Sequence, residues 1–125
     1  MGGVSAIPYL DDVLGPEVPV IKLTEAARRL AVPITRAEQM VRDRDLLAFK
    51  RNRVPVVPAV FVADDARVLK GLPGTINVLR DGGYTEEEIL RWLFADDDSL
   101  PGSPIAALVD NRGKEVTRRA QAMAI

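Results

Sequence analysis

The sequence contains no cysteine and no histidine among its 125 residues. The missing cysteines exclude disulfides and thiolate metal sites, and the missing histidines remove the commonest metal ligand and general base. No apolar run reaches the roughly 18 residues that span a bilayer, and the N-terminus lacks the basic and apolar regions of a signal peptide. These absences predict a cytoplasmic protein that is not an enzyme and holds no metal or other cofactor.

Other catalytic patterns are also missing. The serines have no histidine to activate them, and there is no glycine-rich phosphate loop. Three consecutive aspartates stand at residues 96–98, but they lack the alternating spacing and the later glutamate of a calcium loop. The pattern therefore favours a binding protein over a hydrolase or a metalloprotein.

Residues 23–58 begin with the pattern of two short helices. The first has an apolar stripe with i, i+3, i+4, i+7 spacing, formed by Leu23, Ala26, Ala27 and Leu30. Thr24 is placed to cap the start of this helix, and residues 31–33 interrupt it. The second helix is expected over residues 34–45, with an apolar stripe from Ala37 to Val41 and polar side chains opposite, a pattern typical of a recognition helix.

A basic hairpin is expected after the second helix. Residues 46–49 can form one strand and residues 54–57 the returning strand, with the polar segment KRNR at 50–53 as the tip. Pro55 and Pro58 remove ladder donors, so the returning strand is expected to be short and to lie at an edge. Two helices followed by such a hairpin predict a winged helix-turn-helix.

The net charge of −1 conceals an uneven distribution. Residues 22–53 carry nine Lys and Arg against four Asp and Glu, a local charge of +5, whereas residues 54–101 carry four against nine, a local charge of −5. A basic surface of this kind predicts a nucleic-acid partner for the winged segment.

The rest of the chain completes the expected architecture. The first 19 residues are rich in glycine and proline and have no sustained period, which predicts a flexible or loosely docked arm over residues 1–19. The winged helix-turn-helix is expected over residues 20–60 and a helical C-terminal subdomain over residues 61–125. The expected fold is therefore mainly α-helical with a small β-hairpin wing.

Helix boundaries in the C-terminal half are well marked. A short helix is expected from Asp64 or Asp65 to residue 72, and another begins at Pro73 and stops at residues 82–83. Thr85 and Glu88 form a capping box for the next helix. Ser103 and Pro104 are expected to begin a helix that Gly113 can end, and a last helix follows.

Two resemblances rest on these residues. The segment from Leu23 to Pro58 resembles the winged-helix domain of the MerR and excisionase-like class. Three further phrases, LPG at 72–74, LRDGGYTEEEILRWLF at 79–94 and RRAQAMA at 118–124, are similar to an actinobacterial family of small winged helix-turn-helix DNA-binding proteins. This second resemblance spans nearly all of the chain from Ile7 onward. In mycobacteria, members of the family are known as substrates of a membrane-anchored Ser/Thr protein kinase.

The resemblance implies DNA binding through the winged helix, and control by a Ser/Thr protein kinase that phosphorylates a threonine in a flexible N-terminal tail. Residues 1–23 contain no threonine here, so that acceptor has no matching position. The sequence also departs from the wider excisionase pattern at Pro33, at Glu38 and at residues 44–45, where a capping Ser or Thr, an aromatic residue and a glycine are usual.

The sequence therefore predicts a double-stranded DNA-binding protein, sequence-dependent or general, that regulates transcription. Helix 34–45 is expected to enter the major groove, with Thr35, Arg36 and Gln39 near base edges. Phosphate contacts are expected from Arg28, Arg42, Lys50, Arg51 and Arg53. The C-terminal half would stiffen the winged domain or form a homodimer.

A protein-interaction adaptor is the alternative. Residues 103–124 faintly resemble the C-terminal helical domain of antitoxins that bind a toxin partner. In that case the polar face of the second helix would be an ordinary solvated surface, and the charges of the hairpin would only deter edge pairing.

Overall fold

The computed structural model describes residue 7, residues 9–62 and residues 66–124. The elements, in chain order, are β1 (Val20–Lys22), α1 (Leu23–Leu30), α2 (Ile34–Arg42), β2 (Phe49–Arg51), β3 (Val54–Pro58), a 3-10 turn (Ala59–Phe61), α3 (Leu72–Asp81), α4 (Glu86–Phe94), α5 (Pro104–Val109) and α6 (Gly113–Met123). This is the predicted winged helix-turn-helix followed by a helical C-terminal half.

Helix α1 has the predicted buried stripe, because Leu23, Ala26, Ala27 and Leu30 are all buried. The predicted cap at Thr24 was wrong. Strand β1 leads directly into the helix, so Lys22 is the N-cap residue, and no side chain caps this end. Strand β1 was not expected, since three residues are too few for a period-two pattern to be recognised.

Helix α2 is shorter than predicted. It ends at Arg42 rather than at Asp45, and Arg44 takes a left-handed conformation with φ 61°. The amide of Asp45 donates to the carbonyl of Met40 at 2.9 Å, and the amide of Arg44 donates to that of Val41 at 3.1 Å, which is a Schellman ending. Arg44 thus fills the turn position where the wider class usually has glycine.

The wing contains the largest difference from the sequence-based expectation. The sheet has the order β1-β3-β2, so the returning strand β3 is central and five residues long, not a short edge strand. Its two neighbours are only three residues long each. In an antiparallel ladder the backbone groups of successive residues point to alternate sides. By the observed register, the nitrogens of Pro55 and Pro58 point past the ends of β1 and β2, so neither proline removes a hydrogen bond.

A two-residue turn connects β2 to β3. Asn52 and Arg53 have φ angles of 53° and 67°. Positive φ at both central residues is the condition for a type I′ turn, whose twist matches that of the flanking strands. The predicted first strand, 46–49, is displaced toward the tip: residues 46–48 are buried but precede β2.

The N-terminal stretch is docked where the structure describes it. Leu10 forms a parallel bridge with Phe49: its amide donates to the Ala48 carbonyl at 2.9 Å, and its carbonyl accepts from the Lys50 amide at 3.4 Å. The side chains of Ile7, Tyr9, Val13 and Leu14 pack against the core. Leu10 therefore lies at the outer edge of β2, whereas the sequence predicts a flexible or loosely docked arm; residues 1–6 and 8 of that arm lie outside the described residues.

Most helix boundaries in the C-terminal half agree with the prediction. Pro73 lies in the first turn of α3, and the capping box of Thr85 and Glu88 starts α4. Ser103 caps α5 by accepting from the Ala106 amide at 3.2 Å. Gly113 starts α6 instead of ending α5, because α5 stops at Val109 and Asn111 makes the left-handed turn.

The helix expected before α3 is not formed over residues 66–71, where Val68 bridges back to Val62 in an antiparallel pair. Its predicted caps, Asp64 and Asp65, lie outside the described residues. The Val62–Val68 bridge closes a loop here, and residues 70–71 form a turn that leads into α3.

One buried core spans both halves. It includes Phe49 and Phe61 from the winged part and Ile89, Leu93 and Val116 from the helical part. The rings of Phe61 and Phe94 lie with their centroids 6.0 Å apart. Such a pair adds about 0.5–1.5 kcal/mol beyond the burial itself. In the part of the chain that the structure describes, no helix is long and apolar enough to cross a membrane.

Candidate nucleic-acid interface

The outer side of α2 carries the three predicted base-contacting residues. Thr35, Arg36 and Gln39 are exposed, while Ala37 and Val41 bury the opposite side against α1 and the core. Within the described residues, Arg36 has no hydrogen-bond or ion-pair partner, and the Gln39 amide nitrogen donates to Asp43 Oδ1 at 2.9 Å. The helix therefore presents polar side chains that can reach an external partner.

The start of α2 is suited to an anion. Pro33 is the N-cap residue, no side chain caps the helix, and its first turn contains no acidic residue. The first amides of a helix have no intrahelical partner, and the helix dipole makes this end partly positive. A phosphate at this position would be stabilised by both effects.

The tip of the wing carries the second part of the surface. Arg53 is exposed and has no polar partner in the described part of the chain. Lys50 is also exposed, and its ammonium lies 5.6 Å from the centre of the Tyr9 ring. An exposed cation over an aromatic ring gains about 0.5–1 kcal/mol. The Tyr9 ring therefore favours one orientation of the Lys50 side chain, which stays exposed to solvent.

A groove separates α2 from the wing. Ile34 and Glu38 of α2 line one wall and Val54 and Pro55 of β3 the other, with Tyr9 among the remaining lining residues. Ile34 and Val54 are 38% and 36% exposed, which is unusual for large apolar side chains in this fold. The recognition helix and the wing therefore line one groove, and its lining includes exposed apolar side chains.

Arg51 occupies a different environment from the other wing cations. Its side chain is only 16% exposed. The guanidinium donates to the carboxylate of Asp12 at 2.8 and 3.4 Å and to the carbonyls of Val18 at 2.9 Å and Gly15 at 3.2 Å, and it lies 5.5 Å from the centre of the Phe49 ring. Arg51 thus holds the loop of residues 12–18 against the sheet.

Arg42 lies half-buried on the flank of α2. Its Nε is buried without a hydrogen-bond partner in the described residues. Tyr9 is the neighbour on this flank: burial and the nearby Glu38 carboxylate raise the pKa of its hydroxyl, while the charge of Arg42 opposes them. Arg42 can therefore present only the outer part of its guanidinium to a phosphate.

Arg28 projects from α1 with its side chain 72% exposed. Its Nε donates to Glu25 at 2.8 Å. Arg28 and, to a smaller extent, Arg29 lower the pKa of Glu25 to about 2 by hydrogen bonding. A phosphate contact by Arg28 would have to compete with this carboxylate.

Sequence reasoning missed three parts of the surface. Tyr9 belongs to the segment predicted as an arm, and no pattern in the neighbouring sequence indicates that its side chain reaches α2. Ile34 and Val54 are apolar and would be assigned to the core from their type. The absence of a side-chain cap at Pro33 was visible in the sequence and is the one signal that indicated an open helix start.

Comparisons with known proteins agree with this architecture. Two family models match the chain: "DNA-binding protein Rv2175c, wHTH domain" over residues 6–62 and "Rv2175c C-terminal domain of unknown function" over residues 69–124. DNA-binding protein Rv2175c of Mycobacterium tuberculosis is 42% identical over 133 aligned positions, which cover 97% of this chain and 91% of that protein. The NMR structure of Rv2175c superposes with a TM-score of 0.83 at 40% identity, covering 98% of this chain and 92% of the other. The chain therefore belongs to the Rv2175c family, with the family's winged helix-turn-helix domain followed by its C-terminal domain.

Proposed function

We propose that this protein binds double-stranded DNA with α2 and the wing, and that it regulates transcription. The observation that carries the proposal is that α2 and the wing line a common groove, through Ile34 and Glu38 on one side and Val54 and Pro55 on the other. Each of these two elements also carries exposed polar or cationic side chains, at Thr35, Arg36 and Gln39 in α2 and at Lys50 and Arg53 in the wing. The relative described as a DNA-binding protein supports the same assignment.

Helix α2 would enter the major groove. Its nine residues span about 14 Å, and a major groove about 12 Å wide admits an α-helix. Thr35, Arg36 and Gln39 would face base edges, with Gln39 exchanging its bond to Asp43 for one to a base. The uncapped start of α2 would face a phosphate.

Lys50 and Arg53 would supply the phosphate contacts of the wing, with Arg42 and Arg28 contributing from the two helices. We assign Arg51 a different role from the one its position in the sequence predicts. Its guanidinium already donates to one carboxylate and two carbonyls, so moving it to a phosphate would break all of these bonds. Arg51 would instead position the wing by holding the arm beneath it.

Two further partner predictions accompany this proposal. The family resemblance predicts a Ser/Thr protein kinase, but the family's acceptor threonine has no counterpart in residues 1–23, which contain no threonine. A homodimer would let two copies read two half-sites about one helical turn apart. Sedimentation equilibrium with and without duplex DNA would measure the second.

Fluorescence anisotropy with labelled duplex DNA tests the main proposal. Binding is expected to weaken steeply with salt, with a log–log slope of about −0.9 for each phosphate neutralised. A promoter fragment and a random fragment of equal length separate sequence-dependent from general binding. Absence of binding to both at low salt would contradict the proposal and favour a protein partner for this surface.

A further inference from the structure

The C-terminal half contains a second concave surface, which the winged helix does not use. It is an open cleft of about 830 Å³ between the start of α3 and the start of α6, and we call it the α3/α6 cleft. Ligand sites for small molecules commonly measure about 300–1,000 Å³. None of the predicted DNA-contacting residues lines the cleft.

The lining of the cleft is strongly cationic. Lys70, Arg112, Lys114 and Arg118 face it, against one carboxylate, Glu115. Arg112 is already paired, at 3.0 Å with Asp110 and at 3.8 Å with Glu115. The other three cations are exposed and have no ion-pair partner within the described residues. The cleft therefore has a surplus of positive charge that nothing in the described chain compensates.

The backbone adds to this charge. Helices α3 and α6 both begin at the cleft, and neither start is capped by a side chain. The two starts lie side by side: a Cβ on Gly71 would come within 3.6 Å of the Cα of Gly113. At the start of α6, Gly113 carries no side chain that could cover the first amides, so this partly positive helix end is open to an anion. The start of α3 contributes less, because the Leu72 amide donates to the Leu69 carbonyl at 3.1 Å and Pro73 has no amide proton.

The cleft also lies away from an ion pair that joins the C-terminal half to the segment after α2. In this link, Nε of Arg44 lies 2.8 Å from Oε1 of Glu86 at the start of α4. Helix α3 runs from the cleft toward this link, a length of about 15 Å for its ten residues. A ligand in the cleft would therefore be bound separately from a duplex held by α2 and the wing.

We propose that the α3/α6 cleft binds a phosphorylated small molecule. Its phosphate groups would be held by Lys70, Lys114 and Arg118 and by the amides at the start of α6. Arg is suited to bidentate phosphate contacts and Lys to point-charge contacts, and the cleft offers both. This would give the C-terminal half a ligand-binding role of its own, beyond the DNA binding proposed for the winged half.

The test uses the full chain labelled with ¹⁵N and sodium pyrophosphate as the probe, with sodium chloride at equal ionic strength as the reference. We expect saturable amide shifts at Gly71, Gly113 and Lys114. The double variant Lys114→Ala/Arg118→Ala should bind pyrophosphate at least tenfold more weakly. Arg91→Ala is the matched control: it removes an exposed cation of α4 outside the cleft, and its affinity should stay within twofold.

Several outcomes would overturn the proposal. One is the absence of saturable shifts in the cleft, and another is equal weakening by the double variant and the control. A third is a cleft that responds to a short duplex but not to pyrophosphate, which would identify a second DNA contact instead. Anisotropy of the double variant with duplex DNA separates the two proposals, since its affinity should be unchanged if the winged half alone holds DNA.

Discussion

The guanidinium of Arg51 and the carboxylate of Asp12 form an ion pair across 39 residues of sequence, with Nε 2.8 Å from Oδ2. Both side chains are largely covered, at 16% and 26% exposure. The hydrogen bond from Arg51 lowers the pKa of Asp12. This pair joins the wing to the N-terminal segment, and it divides the three cations of the hairpin into one structural residue and two that face solvent.

Replacing Arg51 by alanine is expected to lower the free energy of unfolding by about 1–3 kcal/mol, because the Asp12 carboxylate and two carbonyls lose their donor. Arg53→Ala, at the exposed tip of the same hairpin, is the control and should change it by less than about 0.5 kcal/mol. Urea denaturation measures both. Equal stability of the two variants, together with equal loss of DNA affinity, would restore Arg51 as the phosphate contact that the sequence predicts.

Substitutions in α2 and in the wing should affect DNA binding in different ways. Arg36→Ala is expected to cost about 1–3 kcal/mol on the preferred sequence and to reduce discrimination against a random one, as loss of a base contact does. Arg53→Ala should weaken binding to all sequences alike and reduce the salt slope by about 0.9. Anisotropy titrations of both variants, with Arg91→Ala as the control, would measure these differences. If both variants behaved like the control, the assigned surface would be wrong.

Stability should decrease in acid because of Asp97. Hydrogen bonds from the hydroxyl and amide of Ser99, and then from Trp92 and Arg119, hold the pKa of its carboxyl well below the ordinary value. A carboxyl whose pKa is lower in the folded chain contributes stability above its unfolded pKa, and that contribution is lost as the pH falls. The free energy of unfolding should therefore decrease when the pH is lowered below about 4.

Asp97→Asn is expected to remove part of this dependence and to cost about 1–3 kcal/mol at pH 7, since the donors of Ser99, Trp92 and Arg119 lose an anionic acceptor. The exposed neighbour provides the control, because Asp98 accepts no hydrogen bond in the described residues. Denaturation curves between pH 7 and pH 2 compare Asp97→Asn and Asp98→Asn with the parent. An unchanged pH profile in Asp97→Asn would exclude Asp97 as the source.

Two glycines should respond in opposite ways to alanine. A Cβ at Gly74, within α3, would meet nothing within 4 Å, so Gly74→Ala should stabilise the protein by about 0.5–1 kcal/mol. Gly83 has equal space but a φ of +96°, which strains any residue with a Cβ. Gly83→Ala should therefore destabilise by about 1 kcal/mol or more. Thermal unfolding measures both, and a gain at Gly83 would contradict the backbone argument.

Locally encoded features were predicted well because their causes lie within a few residues. The stripe of α1 depends on helical spacing alone, and the capping box of Thr85 and Glu88 on two residues of one turn. Ser103 followed by Pro104 started α5 for the same reason. Two of the boundary errors, at the ends of α2 and α5, occurred where Arg44 or Asn111 rather than a glycine made the left-handed turn.

The candidate site was predicted in part. The sequence indicated a basic segment with a polar helix face, and Thr35, Arg36 and Gln39 are indeed exposed on one side of α2. Their contacts with DNA stay predictions. The groove between Ile34 and Val54 could not be inferred, because it depends on how the wing packs beside the helix.

By itself, the sequence determined most of the helices, the caps at Thr85 and Ser103 and the local excess of positive charge, because each follows from spacing or composition within one segment. Only the tertiary structure decided that β3 is the central strand, since the register relative to β1 sets where its prolines point. It alone also paired Arg51 with Asp12 and brought the starts of α3 and α6 together. Such contacts join residues about 40 apart in the chain, and no local pattern specifies which of many possible partners packing will select.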